Sequence, residues 1–211
     1  MNVCEIFASI QGESSHAGFP CVFVRLSGCN LRCSFCDTSY AYGPGVEMDL
    51  PVILGKVKYY GIELVEVTGG EPLIQRETPA LLEMLCNQGY AVLLETNGSC
   101  DIASVDQRVS VVLDMKTPSS GMSEKMLMKN LDRVRKKDDV KFVLSSREDY
   151  EWSKKMMERY SLAGKTNVLL SPVFNMLEPE DLAQWMVTDR LNARLNLQLH
   201  KYIFGPNRRG V

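Results

Sequence analysis

The feature that most restricts the fold of this 211-residue chain is a repeated alternation. Short apolar runs rich in Val, Leu and Phe trade places with stretches whose apolar residues recur at helical spacing. Cys21 to Ser27 reads as a buried strand. Asp49-Leu-Pro51 then opens a helix, with Asp as the cap and Pro in the first turn. Ile53, Leu54, Val57 and Tyr60 follow on one side, and Gly61 ends it. Leu64 to Thr68 reads as a strand running into Gly69-Gly70-Glu71-Pro72. Thr78-Pro79 starts a second helix that carries Leu81, Leu82 and Leu85 and stops at Gly89. Ala91 to Thr96, Val109 to Lys116, Val140 to Leu144 and Asn167 to Ser171 are further strands. Glu148 to Leu162 and the stretch opened by Glu178-Pro179 are further helices, and Leu195 to Ile203 reads as a last strand. Such alternation predicts an α/β protein with a mainly parallel sheet and crossover helices. About six core strands make a partial, incomplete TIM-type barrel, short of the closed eight-stranded form.

The length suits one domain, residues 1–211, with a substantial core. A formal net charge of -2 argues against broad electrostatic binding to nucleic acid or an acidic membrane. No apolar run is long enough to span a bilayer. No basic-then-apolar export signal opens the chain, so a reducing cytoplasm is expected.

Cys29, Cys33 and Cys36 lie in the run Gly28-Cys-Asn-Leu-Arg-Cys-Ser-Phe-Cys-Asp37. Three thiolates at this spacing can converge on one soft metal centre. A cubane iron–sulfur cluster has four irons, so three cysteines leave one iron open to a substrate or cofactor. A structural zinc site is the plain alternative. Zinc takes four closed ligands at paired spacings, yet no second C-x-x-C occurs and the only histidines are His16 and His200. Cys4, Cys21, Cys86 and Cys100 have no metal-like spacing and read as small buried apolar residues.

The polar signals gather where strands end: Gly-Gly-Glu-Pro, Glu95-Thr-Asn-Gly98, Lys116-Thr-Pro-Ser119 and Ser171-Pro172. Active sites of parallel α/β folds lie at those carboxyl edges. Upstream, Gln11 offers a donor and an acceptor together, and Glu13 can accept two ring N–H groups, a pairing that suits the edge of a pterin or guanine-like ring. Arg25 interrupts an apolar strand and must find a partner there. That partner is either a structural carboxylate or a substrate carboxylate held in a bidentate clamp. Asp37 reads as a cap and Thr38 as a turn hydroxyl, or the single Thr38 hydroxyl shares a hard cation with a substrate carboxylate.

With Phe35 directly before the third cysteine, the cysteine run resembles the radical S-adenosylmethionine (SAM) superfamily. The wider set Ile10-Gln-Gly-Glu13, Phe23-Val-Arg25, Gly28-Cys29…Cys36-Asp37, Thr68-Gly-Gly, Glu95-Thr-Asn97 and His200…Arg209-Gly-Val211 is similar to the 7-carboxy-7-deazaguanine synthase family within it, over nearly the whole chain. The resemblance implies a lyase that converts 6-carboxy-5,6,7,8-tetrahydropterin to 7-carboxy-7-deazaguanine, with ring contraction and loss of ammonia, on the route to queuosine and other 7-deazapurines. It implies that Cys29, Cys33 and Cys36 hold a [4Fe–4S] cluster and that Thr38 ligates Mg2+. By the same resemblance Gln11, Gly12, Glu13, Arg25, Thr68, His200 and Val211 line the substrate site, while Phe35, Asp37, Gly70, Glu71, Lys116 and Ser171 meet SAM. It also implies a flavodoxin- or ferredoxin-type electron donor and a homodimer. Two departures stand out. Some relatives carry Ser-Pro-Lys where this chain has Asp114-Met115-Lys116, and a Trp near the end where it has Ile203-Phe204-Gly205-Pro206. Another small radical SAM enzyme, such as a glycyl-radical activase, needs a face for a large partner and no pterin pocket, and the Gln11, Glu13 and Arg25 set argues against it.

Overall fold

The computed structural model describes residues 1–206 and 208–210. Strands β1 (Asn2–Ile10) and β2 (Pro20–Leu26) form an antiparallel pair, and β3 (Val46–Glu47) adds to the outer edge of β1. Helix α1 (Leu50–Tyr60) leads to β4 (Leu64–Gly69), and α2 (Thr78–Asn87) leads to β5 (Ala91–Thr96). Strand β6 (Ser110–Met115) is followed by the short α3 (Asn130–Arg133) and β7 (Asp139–Leu144). The chain closes with α4 (Arg147–Arg159), β8 (Asn167–Pro172), α5 (Pro179–Thr188), β9 (Arg194–Leu195) and α6 (Leu199–Phe204).

The nine strands of the described residues join one open sheet in the order β3-β1-β2-β4-β5-β6-β7-β8-β9. From β2 through β4 to β9 every neighbour is parallel and follows in chain order. An order without reversal means that every crossover winds the same way, so the helices gather on one face of the sheet. A doubly wound sheet would reverse and cover both. The uncovered face curls into the interior of the partial barrel that the alternation predicts, and β2 with β4 to β8 are its six core strands.

Side-chain alternation along these strands divides core from site. Val24 and Leu26, Val65 and Val67, Leu113 and Met115, and Val140 and Phe142 are fully buried toward the helices. They meet Ile53 and Val57 of α1, Leu81, Leu82 and Leu85 of α2, and Tyr150 of α4. Each such aliphatic side chain contributes about 1.5–3 kcal/mol by leaving water. The intervening residues, Arg25, Glu66, Thr68, Glu95, Asp114 and Lys141, face the opposite side.

Two expectations are corrected. Leu195 to Ile203 is not a strand. Only Arg194 and Leu195 pair with β8, and Leu199–Phe204 is helix α6. Leu199 and Ile203 stand four apart, which serves a helix face as well as a strand, and the Leu199 N–H is taken by Gly12 O at 2.9 Å. Cysteine burial is the second. Cys21 is buried, but Cys4, Cys86 and Cys100 are only partly buried. Strand β1 was not foreseen, because its register slips between Val3 and Glu5 and a bulge breaks the clean period of two. No helix among the described residues is long and apolar enough to cross a membrane.

Candidate active site

The carboxyl ends of the parallel strands open on a cavity of about 210 Å³. Of the residues singled out by the sequence, Gln11, Gly12, Glu13, Arg25, Cys29, Cys33, Phe35, Cys36, Asp37, Thr38, Thr68, Gly70, Lys116 and His200 all line it. Val211 lies outside the described residues.

Glu71 and Ser171, which the resemblance places at SAM, are buried and do not line the cavity. Glu71 is fully buried. Its carboxylate accepts from Leu73 N at 2.9 Å, Thr96 Oγ1 at 2.8 Å and Asn97 N at 2.7 Å. Ser171, also fully buried, accepts from Asn196 Nδ2 at 3.0 Å. Polar groups sealed inside a strand end must be satisfied locally, and these two are. Glu71 therefore ties the Gly-Gly-Glu-Pro loop to the end of β5.

That loop carries the cysteine run on its other side. Glu71 N donates to Gly28 O at 2.9 Å. A Cβ on Gly70 would collide with Gly28 O and stand 2.7 Å from Cys29 Cβ, so only glycine permits this approach. Cys29 Sγ accepts from Leu31 N at 3.4 Å and from Asn97 Nδ2 at 3.7 Å. Burial pushes the Cys33 thiol up, against the pull of the Lys116 ammonium. Among the described residues no three His, Cys, Asp or Glu side chains close around a single ion. A cubane takes its thiolates on separate irons and asks for a wider triangle. Three cysteines on one cavity wall, one of them already accepting N–H donors, fit that cluster.

The opposite wall is built from charge. Lys141 Nζ, almost wholly buried on β7, donates to Glu13 Oε2 at 2.6 Å and Glu95 Oε1 at 2.5 Å, with Asp114 Oδ2 at 3.5 Å. Burial opposes its charge, but these carboxylates outweigh that and hold it protonated. Burial likewise opposes ionisation of Glu13, and Lys141 and His200 overcome it, so its carboxyl sits below the usual range. Lys116 Nζ bonds Asp114 Oδ2 at 2.9 Å. Gln11 is held at both ends: its Nε2 donates to Glu66 Oε2, and its Oε1 accepts from Glu13 N at 2.7 Å. Arg25 Nε donates to Glu5 Oε1 at 2.8 Å. The structural partner of the sequence reading is thus present, and it leaves the terminal nitrogens for the cavity.

Glu66 faces the same group, and among the described residues no cation is within ion-pair distance of it, although Lys141 and Arg25 act on it from farther off. Burial, then the nearby Glu95 charge, raises its pKa well above the ordinary carboxylate range. A raised carboxyl contributes its stability below its unfolded pKa, and that contribution is lost as pH rises through the folded value. Glu66→Gln mimics the protonated form. The variant is expected to melt with wild type at about pH 5 and above it at about pH 9. A variant less stable at both would contradict this assignment.

Helix α6 and the Gln198 before it border the cavity. Gln198 Nε2 donates to Glu13 Oε1 at 2.8 Å and Asp37 Oδ2 at 3.2 Å. Lys201 Nζ donates to Asp37 Oδ2 at 2.7 Å, and Thr38 Oγ1 donates to Asp37 Oδ1 at 3.0 Å. A Cβ on Gly12 would run into the His200 ring, so the glycine of Gln-Gly-Glu is what lets α6 seat. Burial lowers the His200 pKa and keeps the ring neutral near pH 7.

The radical SAM superfamily profile matches residues 23–186. A 7-carboxy-7-deazaguanine synthase of Chlorobaculum tepidum is 46% identical over 100% of this chain and 97% of its own length. The chain belongs to the 7-carboxy-7-deazaguanine synthase family of radical SAM enzymes. Another member, from Koribacter versatilis, is 42% identical over 100% of both chains. The crystal structure of Escherichia coli QueE superposes with a TM-score of 0.77 at 22% identity, over 94% of this chain and 93% of that one, which shows a shared fold.

Within this family site, sequence reasoning missed Glu66, Lys141, Gln198 and Lys201 and named Glu95, Asn97 and Asp114 only as parts of motifs. Lys141 carried the same signal as Arg25, a charge inside an apolar strand. Gln198 and Lys201 were hidden by the strand reading of α6.

Proposed function

We propose that this chain converts 6-carboxy-5,6,7,8-tetrahydropterin to 7-carboxy-7-deazaguanine, with ring contraction and release of ammonia. The observation that carries the reading is the placement of Gln11, Glu13 and Arg25 on the same cavity as the three-cysteine loop. When bound, the [4Fe–4S] cluster and SAM supply one-electron cleavage of the sulfonium and a hydrogen-atom acceptor at C5′. Cys29, Cys33 and Cys36 would hold the cluster and leave one iron for SAM. The Gly69-Gly70 backbone, Phe35 and Lys116 would border SAM. Asp114 Oδ1 is buried without a hydrogen-bond partner among the described residues, an acceptor that a hydroxyl of the cofactor ribose would satisfy.

The pterin falls to the charged wall. Each Glu13 oxygen has lone pairs beyond those used by Lys141 and Gln198, and these accept ring N–H groups. Gln11 keeps one N–H and one carbonyl lone pair beyond its bonds to Glu66 and Glu13, so it can still donate to and accept from the ring. The terminal nitrogens of Arg25 meet the substrate carboxylate. Thr38 Oγ1 would be the protein's ligand to Mg2+, a site too poor in oxygens without those of substrate and water. Helix α6 shields the reacting carbon from solvent. A flavodoxin- or ferredoxin-type reductant, a homodimeric state and a cytoplasmic location complete the proposal. The test is anaerobic incubation of reconstituted protein with SAM, dithionite, Mg2+ and the carboxytetrahydropterin. Formation of the deazaguanine is expected; a full cluster with no such product rejects the reaction.

A further inference from the structure

We propose that Asn97 sets the reduction potential of the cluster through an N–H···S hydrogen bond to Cys29. This role rests on the cluster assignment above and is independent of which substrate the enzyme takes. Asn97 follows the last residue of β5 and is 6% exposed. Its amide has one possible orientation. Oδ1 accepts from Ser99 N at 3.0 Å and Ser99 Oγ at 2.6 Å. A backbone N–H only donates, so the oxygen must face Ser99 and Nδ2 must face the other way. There Nδ2 lies 3.7 Å from Cys29 Sγ and 3.2 Å from Asn30 Oδ1.

The donor is also held in place from behind. Asn97 N is bonded to the buried Glu71 carboxylate, and Asn30 Nδ2 returns a bond to Ser99 Oγ at 2.8 Å. Glu71 in turn grips Gly28 through its own N–H. The end of β5 and the cysteine loop are therefore one hydrogen-bonded unit.

Adding an electron makes the cluster and its thiolates more negative. A hydrogen bond to sulfur is stronger in that state, because its acceptor carries more charge. Donors at the ligating sulfurs thus favour the reduced form and raise the potential. Asn97 supplies such a donor from a side chain, beside the one from the Leu31 backbone.

The experiment is an EPR-monitored redox titration of reconstituted protein without SAM or substrate, with dithionite as reductant. Asn97→Ala removes the donor. Asn97→Asp keeps an oxygen for Ser99 and puts a second oxygen where the donor was. Asn97→Ala is expected to lower the reduced-to-oxidised ratio at a given potential about tenfold, which is 59 mV for a one-electron couple. Asn97→Asp is expected to shift it further in the same direction. A variant with full iron and the wild-type midpoint would overturn the proposal. So would recovery of the wild-type midpoint by Asp but not Ala, since that pattern marks a purely structural role. If neither variant assembles a cluster, wild-type protein carrying 15N in its asparagine side chains decides the matter. Pulsed EPR of the reduced cluster should show coupling to a side-chain amide nitrogen, and its absence would equally overturn the assignment. A wild-type protein that forms no cubane fails by iron analysis instead, which removes the proposed function with it.

Discussion

Cys33→Ala is expected to leave a folded protein that no longer cleaves SAM. Two thiolates cannot hold a cubane in the orientation that keeps its fourth iron open. The structural loss is modest, because Cys33 is a small, partly buried side chain on a loop, and losing its sulfur costs about 1 kcal/mol. Iron content and 5′-deoxyadenosine formation are the measurements. Cys86→Ala, at a partly buried position on α2 away from the cavity, is the control and should retain both. Full iron with normal SAM cleavage in Cys33→Ala would refute the ligand assignment.

Lys141→Met is the second large effect, and it acts on stability and turnover together. The substitution preserves length and removes the only cation bonded to both Glu13 and Glu95 among the described residues. Breaking a buried pair on one side costs about 3–5 kcal/mol, because the remaining charges stay buried. For a chain of this size that lowers the melting temperature by roughly 6–20 °C. The sign of the pH dependence follows from Glu13. Its pKa is lowered in the folded state, so its contribution is present above the unfolded value and lost as pH falls through the folded one. The deficit of the variant should therefore be widest near neutral pH and shrink in acid. Product formation should fall about a hundredfold or more, since Glu13 would no longer be held where the ring is expected. Lys141→Arg restores charge but not a point donor, and a partial recovery of stability is expected from it. Equal melting curves for Lys141→Met and wild type would show that the carboxylates are compensated in some other way.

Much of this fold was legible because its signals are local. The six core strands announce themselves as apolar runs bounded by turn residues, and β5 matches its expected limits, Ala91–Thr96, end to end. Helix α1 has its expected Pro in the first turn and Gly61 left-handed at φ 63°, while Asp49 stands at the N-cap position without a side-chain capping bond. The failures have equally physical origins. Strand β1 is bulged, and α6 presents a spacing that either element can use. Helix α6 owes its position to Gly12 and Glu13, which lie at the other end of the chain.

The candidate site divides along the same line. The amino-acid order by itself determined the ligand chemistry: three cysteines at a spacing suited to one cluster, and a Gln-Gly-Glu run suited to a heterocycle. Those are properties of neighbours. The tertiary structure alone decided which polar side chains serve the cavity and which brace it. Glu71 was turned inward by Asn97, 26 residues away, and Lys141 was drawn to Glu13 across 128 residues. A buried charge takes its role from whichever partner the fold brings within hydrogen-bond reach, and no local pattern encodes that partner.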